Sequence, residues 1–216
     1  MNNKIKMLNF IVFVSFLLSS ESCPKINTVN NLNLTEYISH NWYIQMQQET
    51  YYLPKDFNYC VKANYKNSNK KIPFYKGEVL DVYNYANKGK INSYNVNFQN
   101  TILCARIPDD KIQSKLIVAP CFLPNFLGGD YWIVDAGPES SNYEYAIVIG
   151  GQPDVKYTDG CTTKTNKVNN AGLWLFTKEQ TPPYSIINYM LNKLKVLGIS
   201  KSQLNNVTQK GCLYKN

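Results

Sequence analysis

The fold is decided by two aromatic stretches, Asn41-Trp42-Tyr43 and Leu173-Trp174-Leu175-Phe176-Thr177-Lys178, which stand far apart in the chain. Between them, segments rich in Val, Ile, Tyr and Phe alternate with turn residues, the pattern of an all-β sandwich or barrel. The two aromatic ends favour a closed β-barrel that holds a small apolar ligand. Such a barrel carries no catalytic motif, so its function has to be read from its packing and its ends.

The same alternation predicts eight antiparallel strands. They lie near residues 42–47, 59–65, 74–83, 91–107 (in one or two pieces), 115–119, 131–135, 143–149 and 173–178. Residues that tolerate tight turns stand at Asn87-Lys88-Gly89, Pro108-Asp109-Asp110 and Asp135-Ala136-Gly137-Pro138. Eight strands close into a barrel whose interior has room for one small ligand.

One amphipathic α-helix is predicted after the last strand. Apolar residues recur at three- and four-residue intervals at Ile186, Ile187, Met190, Leu191, Leu194 and Leu197. Thr181, before Pro182-Pro183, is the predicted N-cap, and Gly198 stands where a left-handed residue commonly ends a helix. An apolar stripe of this width is expected to pack on the barrel wall instead of on a membrane surface.

The first residues read as a secretory signal. Lys4 and Lys6 precede an apolar stretch from Met7 to Leu18 that ends in small residues. Residues 1–22 are therefore expected to be removed, which leaves residues 23–216 as one domain. The apolar stretch is shorter than the ~20 residues of a membrane span, so the chain is predicted to be secreted, extracellular and not membrane-spanning.

Two other interpretations of the N-terminus are a buried helix and a bacterial lipoprotein start at Cys23, and Glu21 argues against lipidation. Two glycosylation motifs, Asn33-Leu34-Thr35 and Asn206-Val207-Thr208, agree with secretion from a eukaryotic cell. We therefore predict Asn33 and Asn206 as glycosylation sites.

The charge of the chain is moderate. Loss of Lys4, Lys6 and Glu21 with the signal lowers the formal net charge from +8 to +7. The sequence has no dense Lys/Arg block with interleaved aromatic residues, so no nucleic-acid partner is predicted. The charge supports weak attraction to acidic partners or anionic lipid surfaces at most.

All six cysteines follow the signal, at Cys23, Cys60, Cys104, Cys121, Cys161 and Cys212. An even number in a secreted chain predicts a disulfide framework, for which fifteen connectivities are open. No C-x-x-C pair occurs and His40 is the single histidine, so no metal site is predicted.

A series of short motifs follows in a set order along the mature chain. They are Cys23-Pro24, Trp42-Tyr43, Tyr59-Cys60-Val61-Lys62-Ala63-Asn64-Tyr65, Tyr131-Trp132-Ile133-Val134, Tyr145-Ala146-Ile147-Val148, Trp174 with the basic Lys178, the Pro-Pro helix, and Val207-Thr208 before Cys212. In this order and cysteine context, the chain resembles the lipocalins, and within them the apolipoprotein D-like branch. The resemblance covers nearly the whole mature sequence.

The resemblance implies an eight-stranded up-and-down barrel with one mouth, a C-terminal helix on its flank and a calyx for fatty acids, sterols, retinoids or pigments. It also implies that Trp42 plugs the closed end with the basic side chain of Lys178 across its ring, a contact worth about 0.5–2 kcal/mol. Two positions depart from the family pattern. His40 replaces a glycine, and Asp135-Ala136-Gly137-Pro138 replaces a Thr-Asp-Tyr signature, so the entry to the first strand and one closed-end loop are expected to be rebuilt.

The ligand-facing aromatics of the family map onto Tyr65, Tyr131 and Trp174. Aromatic bodies with a polar tip suit a pocket that accepts an apolar tail and one polar group. Strand alternation alone adds Phe122 and Tyr83. The alternative is that these side chains only fill the core.

For the cysteines, the resemblance implies pairing of Cys23 with Cys161 and of Cys60 with Cys212. Each bridge would close a loop long enough to contribute up to about 4–5 kcal/mol. Cys104 and Cys121 are then extra, and a third bridge between neighbouring strands is expected for them.

The predicted function is a secreted, non-enzymatic carrier of a small hydrophobic ligand, without a cofactor and with a cell-surface receptor as a further partner. An alternative is an interaction or inhibitor protein that acts through rim loops at residues 124–130 and 151–170. A lipid-modifying enzyme would need a free cavity thiol at Cys104 or Cys121, and the sequence offers no histidine or other obvious base to activate that thiol. A haem role for His40 is equally poorly supported.

Overall fold

Eight antiparallel strands form a closed barrel in the computed structural model, which describes residues 22–97 and 102–214. The barrel strands are β1 (Trp42–Gln48), β2 (Tyr59–Asn67), β3 (Val79–Asn87), β4 (Ile102–Arg106), β5 (Lys115–Pro120), β6 (Gly129–Glu139), β7 (Asn142–Ile149) and, after a short hairpin of β8 (Val155–Tyr157) and β9 (Gly160–Thr162), β10 (Leu173–Thr177). Neighbours in sequence are neighbours in the barrel, and pairing of β10 with β1 closes it. A last strand, β11 (Leu204–Asn206), adds to β1. The predicted up-and-down barrel is confirmed.

Alternation along the strands sends one set of side chains into the barrel. Trp42 and Ile44 on β1, Val61, Ala63 and Tyr65 on β2, and Leu80 and Val82 on β3 share one buried core cluster. Every second residue of a strand points to the same face, so this spacing fills the interior. A short helix, α1 (Leu34–Tyr37), covers the end of the barrel where β1 begins.

The amphipathic helix α2 (Tyr184–Val196) packs outside the barrel as predicted. Its fully buried Met190 and Leu194 join a second core cluster with apolar residues of β6, β7 and β10. Gly198 has φ of +69°, the left-handed conformation expected after a helix. The predicted N-cap was wrong: the cap position is Pro183, which gives no side-chain cap, because the helix starts after both prolines and not at Thr181.

Several strand and turn boundaries differ from the prediction. The third strand begins at Val79, because Phe74 has φ of +60° and stands in a turn that no strand can include. Within residues 91–107 only Ile102–Arg106 is strand among the described positions, since the side chain of Asn95 accepts hydrogen bonds from the backbone N–H of Ala86 and Asn97. Asparagine side chains compete with strand pairing in this way.

The predicted turn at Asp135-Ala136-Gly137-Pro138 was also wrong. These residues continue β6, which pairs with β7 up to Glu139 and contains two register shifts. Gly137 makes this pairing compatible with Tyr145, because any Cβ atom at residue 137 would overlap the tyrosine ring. The rebuilt region is therefore a longer hairpin and not a longer loop.

All six cysteines are paired, as Cys23–Cys161, Cys60–Cys212 and Cys104–Cys121. The first two are the pairings that the resemblance implies, and the third joins β4 to the residue after β5.

The predicted signal at residues 1–22 lies outside the described residues except for Ser22. No helix in the described part of the chain is long and apolar enough to cross a membrane.

Candidate ligand-binding cavity

A cavity of about 230 Å³ lies inside the barrel. Its walls are mostly apolar side chains of β1 to β6 and β10, with a few polar groups between them. The described lining consists of Ile44, Gln47, Tyr52, Leu53, Phe57, Val61, Ala63, Tyr65, Val82, Asn84, Tyr85, Ala86, Val96, Asn97, Leu103, Val118, Tyr131, Trp174 and Phe176. This volume is below the about 300–1,000 Å³ of pockets for drug-sized molecules.

Three of the five residues predicted to face a ligand line this cavity: Tyr65, Tyr131 and Trp174. Tyr83 lies on the other side of the β3 wall, because its neighbours Val82 and Asn84 point inward, and its hydroxyl group accepts a hydrogen bond from Asn95 Nδ2 at 3.2 Å. Phe122 follows β5 and its side chain is 75% exposed. The structure thus places Tyr83 and Phe122 outside the cavity.

Three tyrosine phenols meet at one side of the cavity. The hydroxyl group of Tyr131 lies 2.6 Å from that of Tyr37 and 2.7 Å from that of Tyr65. Burial raises the pKa of all three phenols, so they stay neutral at ordinary pH. Tyr131 is therefore the centre of a cluster of three phenols at the cavity wall, to which α1 contributes Tyr37.

Gln47 is a cavity residue that alternation did not predict. From Trp42 and Ile44 onward, a period of two would turn Met46 inward, but a β-bulge shifts the register between Ile44 and Met46. Met46 consequently packs under α2, and Gln47 lines the cavity with 1% of its surface exposed. Its Nε2 donates to Asn58 Oδ1 at 2.7 Å, whereas its Oε1 has no hydrogen-bond partner.

The segment that joins β1 to β2 contributes Tyr52, Leu53 and Phe57 to the cavity. Tyr52 is tied to the segment that precedes β10, because its hydroxyl group donates to the carbonyl oxygen of Ala171 at 2.8 Å. Burial raises the pKa of Tyr52 to about 12, so it remains a donor. The sequence signal missed here was the Tyr51-Tyr52-Leu53 run, an apolar stretch within a connecting segment.

The closed end contains a ring contact that the resemblance does not imply. Trp42 is completely buried and its indole N–H donates to the carbonyl oxygen of Tyr37 at 2.9 Å. The ring of His40 packs on Trp42 with centroids 4.5 Å apart, and the ring of Tyr37 does so with centroids 5.0 Å apart. The Lys178 ammonium donates to Asn142 Oδ1 at 2.8 Å and lies 3.9 Å from a carboxylate oxygen of Glu36. His40, which replaces a glycine, therefore packs on Trp42, while the Lys178 ammonium contacts Asn142 and Glu36.

Burial lowers the pKa of His40, and the positive charge of Lys178 lowers it further, while Glu36 opposes the shift. At neutral pH the imidazole is consequently uncharged.

The two predicted glycosylation sites lie at the surface, with Asn33 at the N-cap of α1 and Asn206 in β11. The side chain of Asn33 donates to the carbonyl oxygen of Ser140 at 2.9 Å.

No protein-family model and no curated protein sequence matches the chain. Solved structures do match: lobster apocrustacyanin A1 has a TM-score of 0.53 at 11% identity, covering 88% of this chain and 91% of that chain. Apocrustacyanin C1 has a TM-score of 0.53 at 11% identity over 89% and 93% of the two chains. Per a 4, a major allergen from cockroaches, has a TM-score of 0.50 at 16% identity over 87% and 94%. These proteins are lipocalins, and the chain shares their fold, a closed eight-stranded antiparallel barrel with one C-terminal helix.

Proposed function

We propose that this chain is a secreted lipocalin that binds and carries a small apolar ligand inside its barrel, and that it is not an enzyme. The observation that carries the proposal is the interior cavity, which brings Tyr65, Tyr131 and Trp174 to one apolar space. Burial of a ligand against such walls is favourable in proportion to the apolar area removed from water. A few polar groups among apolar walls are the usual composition of a small-molecule site.

Secretion and the apolipoprotein D-like branch belong to the same proposal. Three disulfide bridges form and persist in oxidising compartments, which supports an extracellular protein. The pairings Cys23–Cys161 and Cys60–Cys212 agree with those that the resemblance to this branch implies. The third bridge, Cys104–Cys121, occupies the thiols on which an enzymatic alternative would depend.

The cavity volume narrows the ligand class. About 230 Å³ suits a slender chain or a single substituted ring better than a sterol. Trp174 and the tyrosine cluster lie at the cavity wall, so a ligand there would contact an indole ring directly. This contact supplies an optical signal for binding.

The experiment is a fluorescence titration of the oxidised mature protein, stripped of lipid, with fatty acids, fatty alcohols, retinol, a sterol and a tetrapyrrole. Saturable quenching near one equivalent that Trp174→Phe removes supports a carrier. Trp132→Phe is the matched control, because Trp132 packs outside the barrel with Lys115 Nζ 4.4 Å from its ring centroid. Absence of any response across the panel would overturn the proposal.

A second candidate is a protein partner, such as a receptor or an inhibited enzyme, that binds the rim loops. The observation that favours it is an exposed apolar surface between β5 and β6, where Phe122, Phe126 and Leu127 are all exposed. Surface phenylalanines grouped in this way mark interaction sites more often than isolated ones do. A Phe122→Ser/Phe126→Ser variant should lose such a partner and keep the ligand titration unchanged.

A further inference from the structure

We propose that the cavity selects an uncharged apolar ligand that carries a hydrogen-bond donor, and that Gln47 accepts this hydrogen bond. The proposal rests on the carrier function above and specifies its ligand class. It follows from two independent features of the cavity, its lack of charge and its unpaired buried acceptor.

The first feature is the absence of ionic groups from the wall. Among the described residues that line the cavity, none is Asp, Glu, Lys, Arg or His. The ionisable groups there are tyrosines, and burial raises the pKa of Tyr65 and Tyr131, so they stay neutral between pH 5 and about pH 9. An ionised carboxylate inside this cavity would lose its water and find no cation, which is strongly unfavourable. Ionised fatty acids are thus poor ligands.

The second feature is the amide of Gln47. Its Nε2 is used by Asn58, and its buried Oε1 is left without a hydrogen-bond partner in the protein. A buried acceptor without a partner is unfavourable, and a ligand O–H or N–H would supply what is missing. Gln47 stands opposite Trp174 in the β1–β10 ladder, so a ligand held at Gln47 lies beside the indole ring.

The tyrosine cluster does not replace Gln47 in this role. Tyr131 already exchanges hydrogen bonds with Tyr37 and Tyr65 at 2.6 and 2.7 Å. Its hydroxyl group therefore has two partners before any ligand enters, whereas Gln47 Oε1 has none. Gln47 is the cavity residue with a buried acceptor that the described structure leaves unsatisfied.

Three ligands with nearly the same tail test the proposal: decan-1-ol, its isomer 1-methoxynonane, which accepts but cannot donate a hydrogen bond, and decanoate. Each is titrated by quenching of Trp174 at pH 8. We expect decan-1-ol to bind best, the ether about tenfold more weakly because one neutral hydrogen bond is missing, and decanoate at least about a hundredfold more weakly.

The pH dependence of decanoate binding adds a second signature. If only the protonated acid enters, its apparent affinity should rise about tenfold for each pH unit lowered from pH 8, and level off near the carboxyl pKa of about 4–5. Decan-1-ol, which does not titrate, should show no such slope between pH 5 and 8. Repeating both titrations in the same buffers separates ligand ionisation from any change in the protein.

Gln47→Met keeps the length of the side chain and removes the amide. The affinity of this variant for decan-1-ol should fall to its affinity for the ether, and its affinity for the ether should equal that of the wild type. Gln45→Met is the matched control, because Gln45 lies on the same strand but its Nε2 donates to Thr177 Oγ1 at 2.7 Å outside the cavity. The wild-type ligand series stands as a test by itself if Gln47→Met does not fold.

The outcomes separate this inference from the carrier function. If decanoate or the ether binds as tightly as decan-1-ol at pH 8, the cavity does not select a neutral ligand with a hydrogen-bond donor. The inference then fails while the carrier function stands. If none of the three ligands quenches Trp174 and the wider panel is also silent, the carrier function fails and the inference with it.

Discussion

Gly172 lies directly against the indole ring of Trp174, with no room between them for a Cβ atom. Its φ of +115° is also a conformation that side chains rarely adopt. Gly172 immediately precedes β10, whose Trp174 lines the cavity. The glycine therefore sets the position of the aromatic residue that a ligand would contact.

Gly172→Ala should move the indole away from this position. We expect the free energy of unfolding to fall by about 1–3 kcal/mol, because the backbone is strained and the methyl group overlaps the ring. Ligand quenching of Trp174 should be lost or weakened at least about tenfold. Urea unfolding followed by circular dichroism gives the first quantity, and the fluorescence titration gives the second.

Gly89→Ala is the matched control for that change. Gly89 also has a positive φ, +75°, but no atom lies within 4 Å of a Cβ built on it. This variant should lose about 1–2 kcal/mol of stability from backbone strain and keep wild-type ligand binding. Equal effects of the two variants on binding would show that Gly172 does not act through Trp174.

The barrel could be predicted from the sequence because the alternating segments recur eight times with turns between them. An error in the bounds of one strand therefore does not change the predicted fold. Helix α2 followed because its apolar residues recur at helical spacing over three turns. The residues that line the cavity were harder to predict. Tyr65 and Tyr131 were placed by the resemblance, whereas Tyr83 was placed by alternation counted along a strand that in fact begins at Val79 and turns Tyr83 outward.

Gln47 and His40 show why the remainder of the site was missed. A bulge between Ile44 and Met46 inverts the alternation of β1, and no residue type in that stretch signals it. His40 was noticed as a departure from the family, but its contact with Trp42 depends on the path of the chain between α1 and β1, which sequence patterns do not specify.

Tyr131→Phe tests the tyrosine cluster. The change removes the hydroxyl group on which the hydrogen bonds of Tyr37 and Tyr65 converge, so two buried phenols lose a partner. We expect the free energy of unfolding to fall by about 1–3 kcal/mol. Tyr51→Phe is the control: Tyr51 is 81% exposed and its change should stay within about 0.5 kcal/mol. Similar values for both variants would contradict a structural role of the cluster.

The same phenols predict a loss of stability in alkali. In the folded state burial raises the pKa of Tyr37, Tyr65 and Tyr131 above the value of about 10 in the unfolded chain. Their contribution to the free energy of unfolding is complete below pH 10 and is lost as pH rises above 10, because the unfolded chain releases these protons before the folded protein does. Phenolate absorbance of the folded protein should therefore show a group of tyrosines that ionise only on unfolding. Complete ionisation of all tyrosines near pH 10 without unfolding would disprove burial of the cluster.

The disulfide bridges should differ in their effect on stability. Cys60 and Cys212 are 152 residues apart, whereas Cys104 and Cys121 are 17 apart. In the chain-entropy model the long loop contributes about 5 kcal/mol and the short one about 3 kcal/mol. Cys60→Ala/Cys212→Ala should therefore lower the urea midpoint more than Cys104→Ala/Cys121→Ala does. The reverse order would show that local packing at the short bridge outweighs loop entropy.

His40 predicts a dependence of stability on mildly acidic pH. Its folded-state pKa lies below the value of about 6.5 in the unfolded chain, because the imidazole is buried and faces Lys178, while Glu36 opposes the shift only in part. Its contribution is therefore complete above pH 6.5 and is lost as pH falls, by at most about 1.4 kcal/mol per pH unit for one proton. His40→Phe keeps a ring against Trp42 and removes the proton, so the slope of unfolding free energy between pH 5 and 6.5 should flatten. An unchanged slope in that variant would assign it to other groups, and the carboxylates, whose ordinary pKa values are about 4, would then be the ones to titrate.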